Sequence, residues 1–405
     1  MLIVHKYGGT SVGGLERIAS VADRVEKAKN QDNGKGGNDI VVVVSAMSGE
    51  TNKLTDYAKH FSETPAKREM DMLLSSGERV TAALLAIALQ EKGIDAIAMT
   101  GRQAGIVTDD AHTYARIESI DPTAMQTEIK AGKVVIVAGF QGVNADGSVT
   151  TLGRGGSDLS AVAIAGALKA DACEIYSDVD GIYTTDPRIE PKAKKMDFIS
   201  YDEMLELASL GAKVLQNRSV ELAKKLNVKM VAKSSFSDEE GTVIGEEENM
   251  EAVLVSGIAL DRNQARVTVR EVSDRPGIAA EIFSKLADEQ INVDMIIQNA
   301  SSDGRTNLGF TISSCELNRA KEVIEAFDHD IGGMDLDDSV CKVSVVGVGM
   351  KSHAGVAASA FSALAAENIN IEMISTSEIK VSMIVAEKYA ELAVRTLHSV
   401  YNLDK

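Results

Sequence analysis

Short apolar runs and longer stretches of helical spacing alternate through the first half of the chain. The runs fall at 2–7, 40–45, 96–100, 134–140 and 174–177, and the helical stretches at 15–29, 52–60, 78–91, 158–168 and 201–225. A run such as Ile40-Val41-Val42-Val43-Val44 shows no polar alternation, so the strand it forms must be covered on both faces. Strands of this kind separated by helices predict βαβ units: an α/β fold, an αβα sandwich around a mostly parallel sheet, over residues 1–240. Residues 30–39 carry Gly, Asn and Asp with nothing apolar before Ile40, and read as a surface loop.

Beyond residue 234 the pattern gives way to Asp238-Glu239-Glu240-Gly241 and Glu246-Glu247-Glu248-Asn249, so residues 241–252 read as a solvated linker. Past it, 275–296 and 353–374 repeat each other at one constant offset, which aligns Gly277 with Gly355, Phe283 with Phe361 and Asn292 with Asn370. Such a repeat is one small module used twice. Each α+β copy reads strand, helix, strand, strand, helix: 266–272, 277–290, 293–298, 308–313 and 318–327, then 342–348, 354–367, 371–375, 380–385 and 388–400. Only residues 402–405 follow the last helix, too few for a closing strand, while the apolar run 253–260 has no role in the first copy. That run is expected to complete the second copy's sheet and interlock two modules, about 262–338 and 339–405, within a domain spanning 253–405.

Composition narrows the possibilities. A chain of 405 residues, 44% of them apolar, exceeds one ordinary core and calls for two or three domains. Its net charge of −18, from 60 acidic against 42 basic residues, repels nucleic acid and anionic membrane, so neither is an expected partner. A polyanionic nucleotide would need a local cationic site. Cys173, Cys315 and Cys341 lack metal or redox spacing and read as buried free thiols in a reducing compartment. No run of about 18 apolar residues occurs, and the opening MLIVHKYGGTS turns polar too soon for a signal peptide, so a cytoplasmic location is expected.

Three loops carry candidate chemistry. Lys6-Tyr7-Gly8-Gly9-Thr10-Ser11 joins a strand to a helix, where backbone N–H groups, the helix N-terminus and the Lys6 cation favour an anion; a plain strand-to-helix turn uses the same glycines. Thr151-Leu152-Gly153-Arg154-Gly155-Gly156-Ser157-Asp158 opens a second helix and adds an arginine suited to a carboxylate; Asp158 can equally serve as an ordinary residue of a helix start. Residues 177–188, SDVDGIYTTDPR, follow a strand at the edge where open α/β sheets bind ligands, and could also form a hairpin.

KYGGTS at 6–11, VSAMSGETN at 44–52, SSGER at 75–79, TGRQAGI at 100–106, TLGRGGSD at 151–158, SDVDGIYTTDPR at 177–188 and GAKVL at 211–215 follow the order and spacing of aspartate kinases. The paired C-terminal repeat resembles their two ACT modules (βαββαβ), so the likeness spans essentially the whole chain. The resemblance implies transfer of the ATP γ-phosphate to the side chain of L-aspartate, with Mg²⁺, and feedback control by lysine, threonine or both. It implies catalytic roles for Lys6, Asp158 and Lys213, and a nucleotide site of Lys6, Tyr7, Gly8, Gly9, Ser177, Asp178, Tyr183, Arg188 and Lys213. For aspartate it implies Arg154 on the α-carboxylate, Glu78 on the ammonium, and Ser45, Thr51, Gly155, Gly156 and Ser157 around the reacting end. Gln216-Asn217-Arg218 departs from the His-Pro-Arg of one branch, a difference confined to the local nucleotide contact.

For the effector, the resemblance to ACT pairs implies the turn Asp274, Arg275, Pro276, Gly277, Ile278 and Ala279, with Asn292, Asp294, Gln298 and Asn299, in the first copy. In the second it implies Val356, Asn370, Ile371, Ser377 and Glu378; Asn292 and Asn370 could equally be turn residues. Pairing of ACT edges implies a homo-oligomer, and Met250 could start a shorter product. The chemistry agrees with the assignment: a carboxylate of pKa ~3.9 is ionised at neutral pH, so attack on phosphorus needs no general base and no catalytic histidine. Other acceptors (glutamate, acetylglutamate, a nucleoside monophosphate) and a catalytically silent amino-acid sensor remain as alternatives.

Overall fold

The computed structural model describes residues 1–31, 37–209, 214–247, 254–298, 304–327, 331–353 and 355–405. The expected positions Lys213, Asn299 and Met250 lie outside them. Two compact units emerge: the first holds Met1–Ile182, Lys195–Ala208 and residues 214–247, the second Tyr183–Lys194 and residues 254–405.

Among the described residues of the first unit, a sheet of eight strands runs in the order Phe198–Ser200, Thr242–Gly245, Met230–Ser234, Ala172–Ser177, Leu2–Tyr7, Asp39–Val44, Val134–Ala138, Ala96–Met99. All neighbours pair parallel except Met230–Ser234 with Thr242–Gly245. Residues 40–44 and 134–137 are wholly buried, as their unbroken apolar character requires. On one face Ile18, Val21 and Val25 of helix Leu15–Asn30 and Leu85 and Leu89 of helix Ser76–Glu91 pack with Val42, Val44 and Ile136. Each such side chain contributes about 1.5–3 kcal/mol of burial. The helix Gly156–Leu168 carries almost no polar face and is correspondingly buried, with every residue from 156 to 165 enclosed. Lys67–Glu91 is long and apolar enough by mean hydropathy to cross a membrane, although it contains no unbroken apolar run; it is interrupted at Ser75 and its C-terminal half is core helix. A small sheet of Ile117–Ile120, Ile106–Thr108, Gln141–Val143 and Val149–Thr151 was not foreseen, because strands of three or four residues carry too little periodicity to be read.

The single helix expected at 201–225 is instead Tyr201–Ser209 and Asn217–Leu226. The second starts at Gln216, whose side chain accepts from the Ser219 N–H and caps it, a local start signal inside an otherwise helical spacing.

In the second unit the described strands form one antiparallel sheet, ordered Val293–Gln298, Arg305–Ile312, Gly257–Ser273, Gly333–Val346, Lys380–Ala386, Met373–Thr376. Two strands are shared. Residues 257–261 pair with 342–346 of the second copy, and residues 266–270 pair with 333–337 of the first, with register shifts around Asp261–Arg266 where one strand passes between the modules. Two separate strands were expected there, and the closing strand from Gly333 was missed because its alternation includes four acidic or polar positions at 335–339. Ile282, Leu286, Phe310 and Ile324 centre one core, and Val343, Leu364, Met383 and Leu397 the other. Cys173 and Cys341 are buried, but Cys315 is exposed, on the short 3-10 turn Ser314–Glu316, which corrects its expected burial.

Candidate active site

The parallel strands deliver their C-terminal ends to one rim of the first unit, and a cavity of about 620 Å³ opens there. It lies just beyond Tyr7, Val44 and Ala138, where the chain leaves the sheet through Gly9–Thr10, Ser45–Asn52 and Phe140, in the crevice that open α/β sheets use for ligands. Ten of the expected residues line it: Lys6, Gly9, Ser45, Thr51, Glu78, Arg154, Gly155, Gly156, Ser157 and Asp158.

At one end, Lys6 Nζ stands 2.6 Å from Asp158 Oδ1, with both side chains nearly buried. The pairing keeps two otherwise expensive buried charges in place: Lys6 on the central strand, Asp158 in the first turn of the buried helix. Gly8 continues the turn, its N–H donating to Tyr176 O, and the N–H groups of Ser11 and Val12 fold back onto Gly8 O.

At another wall Glu78 is 3% exposed. Its Oε1 accepts the Ala46 N–H at 3.2 Å, and Oε2 is buried without a protein partner. Burial dominates its titration and pushes the carboxyl up to about 7, against the pull of the backbone N–H groups of Glu78 and Ala46 and of nearby Arg79. A buried, half-satisfied carboxylate facing a cavity is suited to an incoming cation. Gly77 permits this arrangement, since a Cβ there would lie 2.7 Å from Ala46 Cβ and push the helix start off the loop that Glu78 engages.

Arg154 sits on the exposed side of the cavity and has no hydrogen-bond or ion-pair partner among the described residues. Gly155 beside it holds φ 72, and a side chain there would meet Gln216 Cγ at 2.3 Å, so the loop closes only around glycine. Two features of this wall escaped sequence reading. Asp71, fully buried, accepts from Thr113 N and Thr151 Oγ1 and contacts His112, and Thr113 and Thr151 line the cavity. Thr113 and Phe140, both cavity residues, adopt φ 72 and 68, a left-handed backbone that marks constrained sites in non-glycine residues. Spacing could not reveal them, because the contacts join residues more than 40 positions apart.

Other expected residues stand elsewhere. Tyr7 is fully buried, stacked on Tyr176 at 4.7 Å within the core, so its side chain does not reach the cavity. Ser177 turns back on Val179, and Asp178 is exposed beyond the strand end; neither lines the cavity. Tyr183 and Arg188 fall on Tyr183–Lys194, which belongs to the second unit: Thr184 O accepts from Ile258 N at 2.7 Å and Thr184 Oγ1 is 3.0 Å from His398 Nε2. Arg188 is solvent-exposed and paired with Asp186 at 2.7 Å. The buried His5 is no cavity residue either; it lies 3.3 Å from Glu174, and burial lowers its pKa to about 4, so it stays neutral.

Among the expected effector residues, Ile278 and Val356 are buried in the two cores, and Ile371 packs against the second. Gly277 takes φ 98 at the start of its helix, Arg275 is bidentate to Glu281 at 2.7 and 2.8 Å, and Asp274 N donates to Gly304 O. Asp294 pairs with the buried Lys342, while Pro276, Asn292, Gln298, Asn370, Ser377 and Glu378 are exposed and Ala279 half-buried.

Residues 1–234 match the amino acid kinase family, and residues 267–326 and 343–401 each match the ACT domain. An aspartokinase of Helicobacter pylori strain J99 is 58% identical over all of both chains. The solved structure of E. coli aspartokinase III in complex with lysine and aspartate (T-state) superposes with a TM-score of 0.79 at 26% identity, covering 100% of each chain. The same enzyme in complex with aspartate and ADP (R-state) gives 0.78 at 26% identity over 99% of each.

Proposed function

The chain belongs to the amino acid kinase family, as an aspartokinase with paired ACT domains, and on that premise we propose how its residues divide the work. It transfers the γ-phosphate of ATP to the side-chain carboxylate of L-aspartate, giving 4-phospho-L-aspartate, the first step towards lysine, threonine and methionine. Residues 1–240 carry out the transfer, and residues 253–405 sense amino acids.

One observation carries the site assignment: a single cavity holds a buried Lys6–Asp158 pair, an unsatisfied Glu78 oxygen and a free Arg154. The last two are complementary to a free amino acid, Glu78 to its ammonium and Arg154, by its planar fork, to its α-carboxylate. Ser45, Thr51 and Ser157 then surround the side-chain carboxylate. This group is already ionised at neutral pH, so no residue need remove a proton before it attacks phosphorus. What lowers the barrier is in-line positioning and cations near the transferred group. Lys6, held by Asp158, supplies one cation from the chain, and Lys213 a second. Gly8 and Gly9 let the backbone approach the phosphates.

Mg²⁺ would enter with ATP, carried by phosphate oxygens and water rather than by a protein cage. Bound there, the ion neutralises charge on the phosphates. The acidic composition supports a cytoplasmic location, and the strands Val293–Gln298 and Met373–Thr376, which end the sheet without a further hydrogen-bonded neighbour among the described residues, support pairing of ACT sheets between subunits. Lysine, threonine or both act at the ACT pair by binding one arrangement of the enzyme better than another.

The test is incubation of purified protein with MgATP and aspartate, glutamate or acetylglutamate, with hydroxylamine trapping of acyl phosphate. Hydroxamate from aspartate alone is expected; hydroxamate from glutamate but not aspartate refutes the substrate.

A further inference from the structure

We propose that Asp71 is a positioning residue for the wall that receives the α-carboxylate of aspartate, a role that rests on the assignment of Arg154 above. Asp71 lies in the middle of the helix Lys67–Leu74 and is wholly buried. Oδ1 accepts from Thr151 Oγ1 at 2.5 Å and from the Thr113 N–H at 3.0 Å. Oδ2 takes the same N–H at 3.1 Å and lies 2.6 Å from His112 Nδ1.

A carboxylate removed from water is retained only where donors satisfy it, and here the donors come from two separate segments. One is 112–113; the other begins the loop carrying Arg154, Ser157 and Asp158. The charge therefore ties both segments to one helix. It also accounts for Thr113, a β-branched residue at φ 72, a conformation that persists only where its surroundings impose it. A second tie comes from Arg218, which packs over the Tyr114 ring at 4.6 Å and donates to Leu152 O at 2.6 Å and Ala115 O at 3.0 Å. The stem of the loop is held at Thr151 and Leu152 while the Arg154 head has no partner among the described residues, the condition for presenting a guanidinium to a ligand at a fixed place.

The experiment measures KM for aspartate and for MgATP, and kcat, in the full-length chain with Asp71→Asn, Thr151→Val, Thr151→Ser and Arg154→Ala. Asp71→Asn keeps the shape but replaces an acceptor by a donor. It should raise KM for aspartate by about ten- to a hundredfold and leave KM for MgATP within about twofold. Thr151→Val should shift the aspartate KM in the same direction, Thr151→Ser should restore it, and combining Asp71→Asn with Thr151→Val should give less than the product of the single effects. Loss of aspartate and MgATP affinity together overturns the proposal, since that is a general loosening of the fold. If Asp71→Asn does not fold, the two Thr151 variants decide, and equal aspartate KM in both overturns it. An unchanged aspartate KM in Arg154→Ala refutes the site assignment itself. A raised KM there with normal Asp71→Asn and Thr151→Val refutes only the positioning role.

Discussion

Glu78→Gln should make the free protein more stable and the enzyme worse. Glu78 has a folded pKa of about 7 against an ordinary 4.5, so keeping it ionised in its buried place costs the fold about 3 kcal/mol at most. The sign follows from which state binds the proton more tightly. Below pH 4.5 the acid is neutral whether folded or unfolded and costs nothing. As pH rises the unfolded chain ionises first and stability is lost progressively, until above about 7 the whole penalty is in place. Glutamine carries no charge to desolvate, though its amide nitrogen would inherit the partnerless position of Oε2 and take back part of the gain. A net gain of about 1–2 kcal/mol at pH 8 is expected, shrinking to nothing or a small loss near pH 4.5. Urea unfolding of the two proteins at both pH values, read by near-ultraviolet circular dichroism, measures it. On the proposed role of Glu78 at the substrate ammonium, the same substitution removes a charge-assisted contact of about 1.5–3 kcal/mol and should raise the aspartate KM by about ten- to a hundredfold. An equal loss of stability at both pH values would refute the burial argument, and an unchanged KM would remove Glu78 from the substrate site.

In the wild-type enzyme, kcat/KM for aspartate should rise with pH up to about 7 and then level off as Glu78 ionises; a profile flat from pH 6 to 8 contradicts that role. Lys6→Met leaves Asp158 buried without its cation, so a cost of about 3–5 kcal/mol with loss of turnover is expected, and undiminished thermal stability would contradict the ion pair. Gly155→Ala puts a methyl group against Gln216 at a left-handed position; a loss of about 1–2 kcal/mol or more and a raised aspartate KM should appear in denaturation and initial-rate assays. Lys213→Ala should lower turnover by about a hundredfold while isothermal titration shows aspartate still bound, and wild-type turnover would exclude it from the site.

The local pattern alone determined the parallel sheet, because continuous apolar runs such as 40–44 have no stable home except between two layers. It determined the duplicated module for a similar reason: equal spacings of Gly277/Gly355 and Leu286/Leu364 demand equal packing, and both leucines are fully buried. The Lys6, Glu78 and Arg154 loops were legible because glycine-rich turns and helix starts keep their chemistry within a few residues. What only the tertiary structure decided were contacts whose partners are remote in the chain. Asp71 reaches Thr113 and Thr151 across two loops; Tyr7 falls into the core although its neighbour Lys6 faces the cavity, since successive residues of a strand point to opposite faces. The segment Tyr183–Lys194 joins the second unit through Thr184, Ile189 and His398, an allegiance invisible in spacing because burial is fixed by the surface that happens to receive a side chain, not by its sequence neighbours.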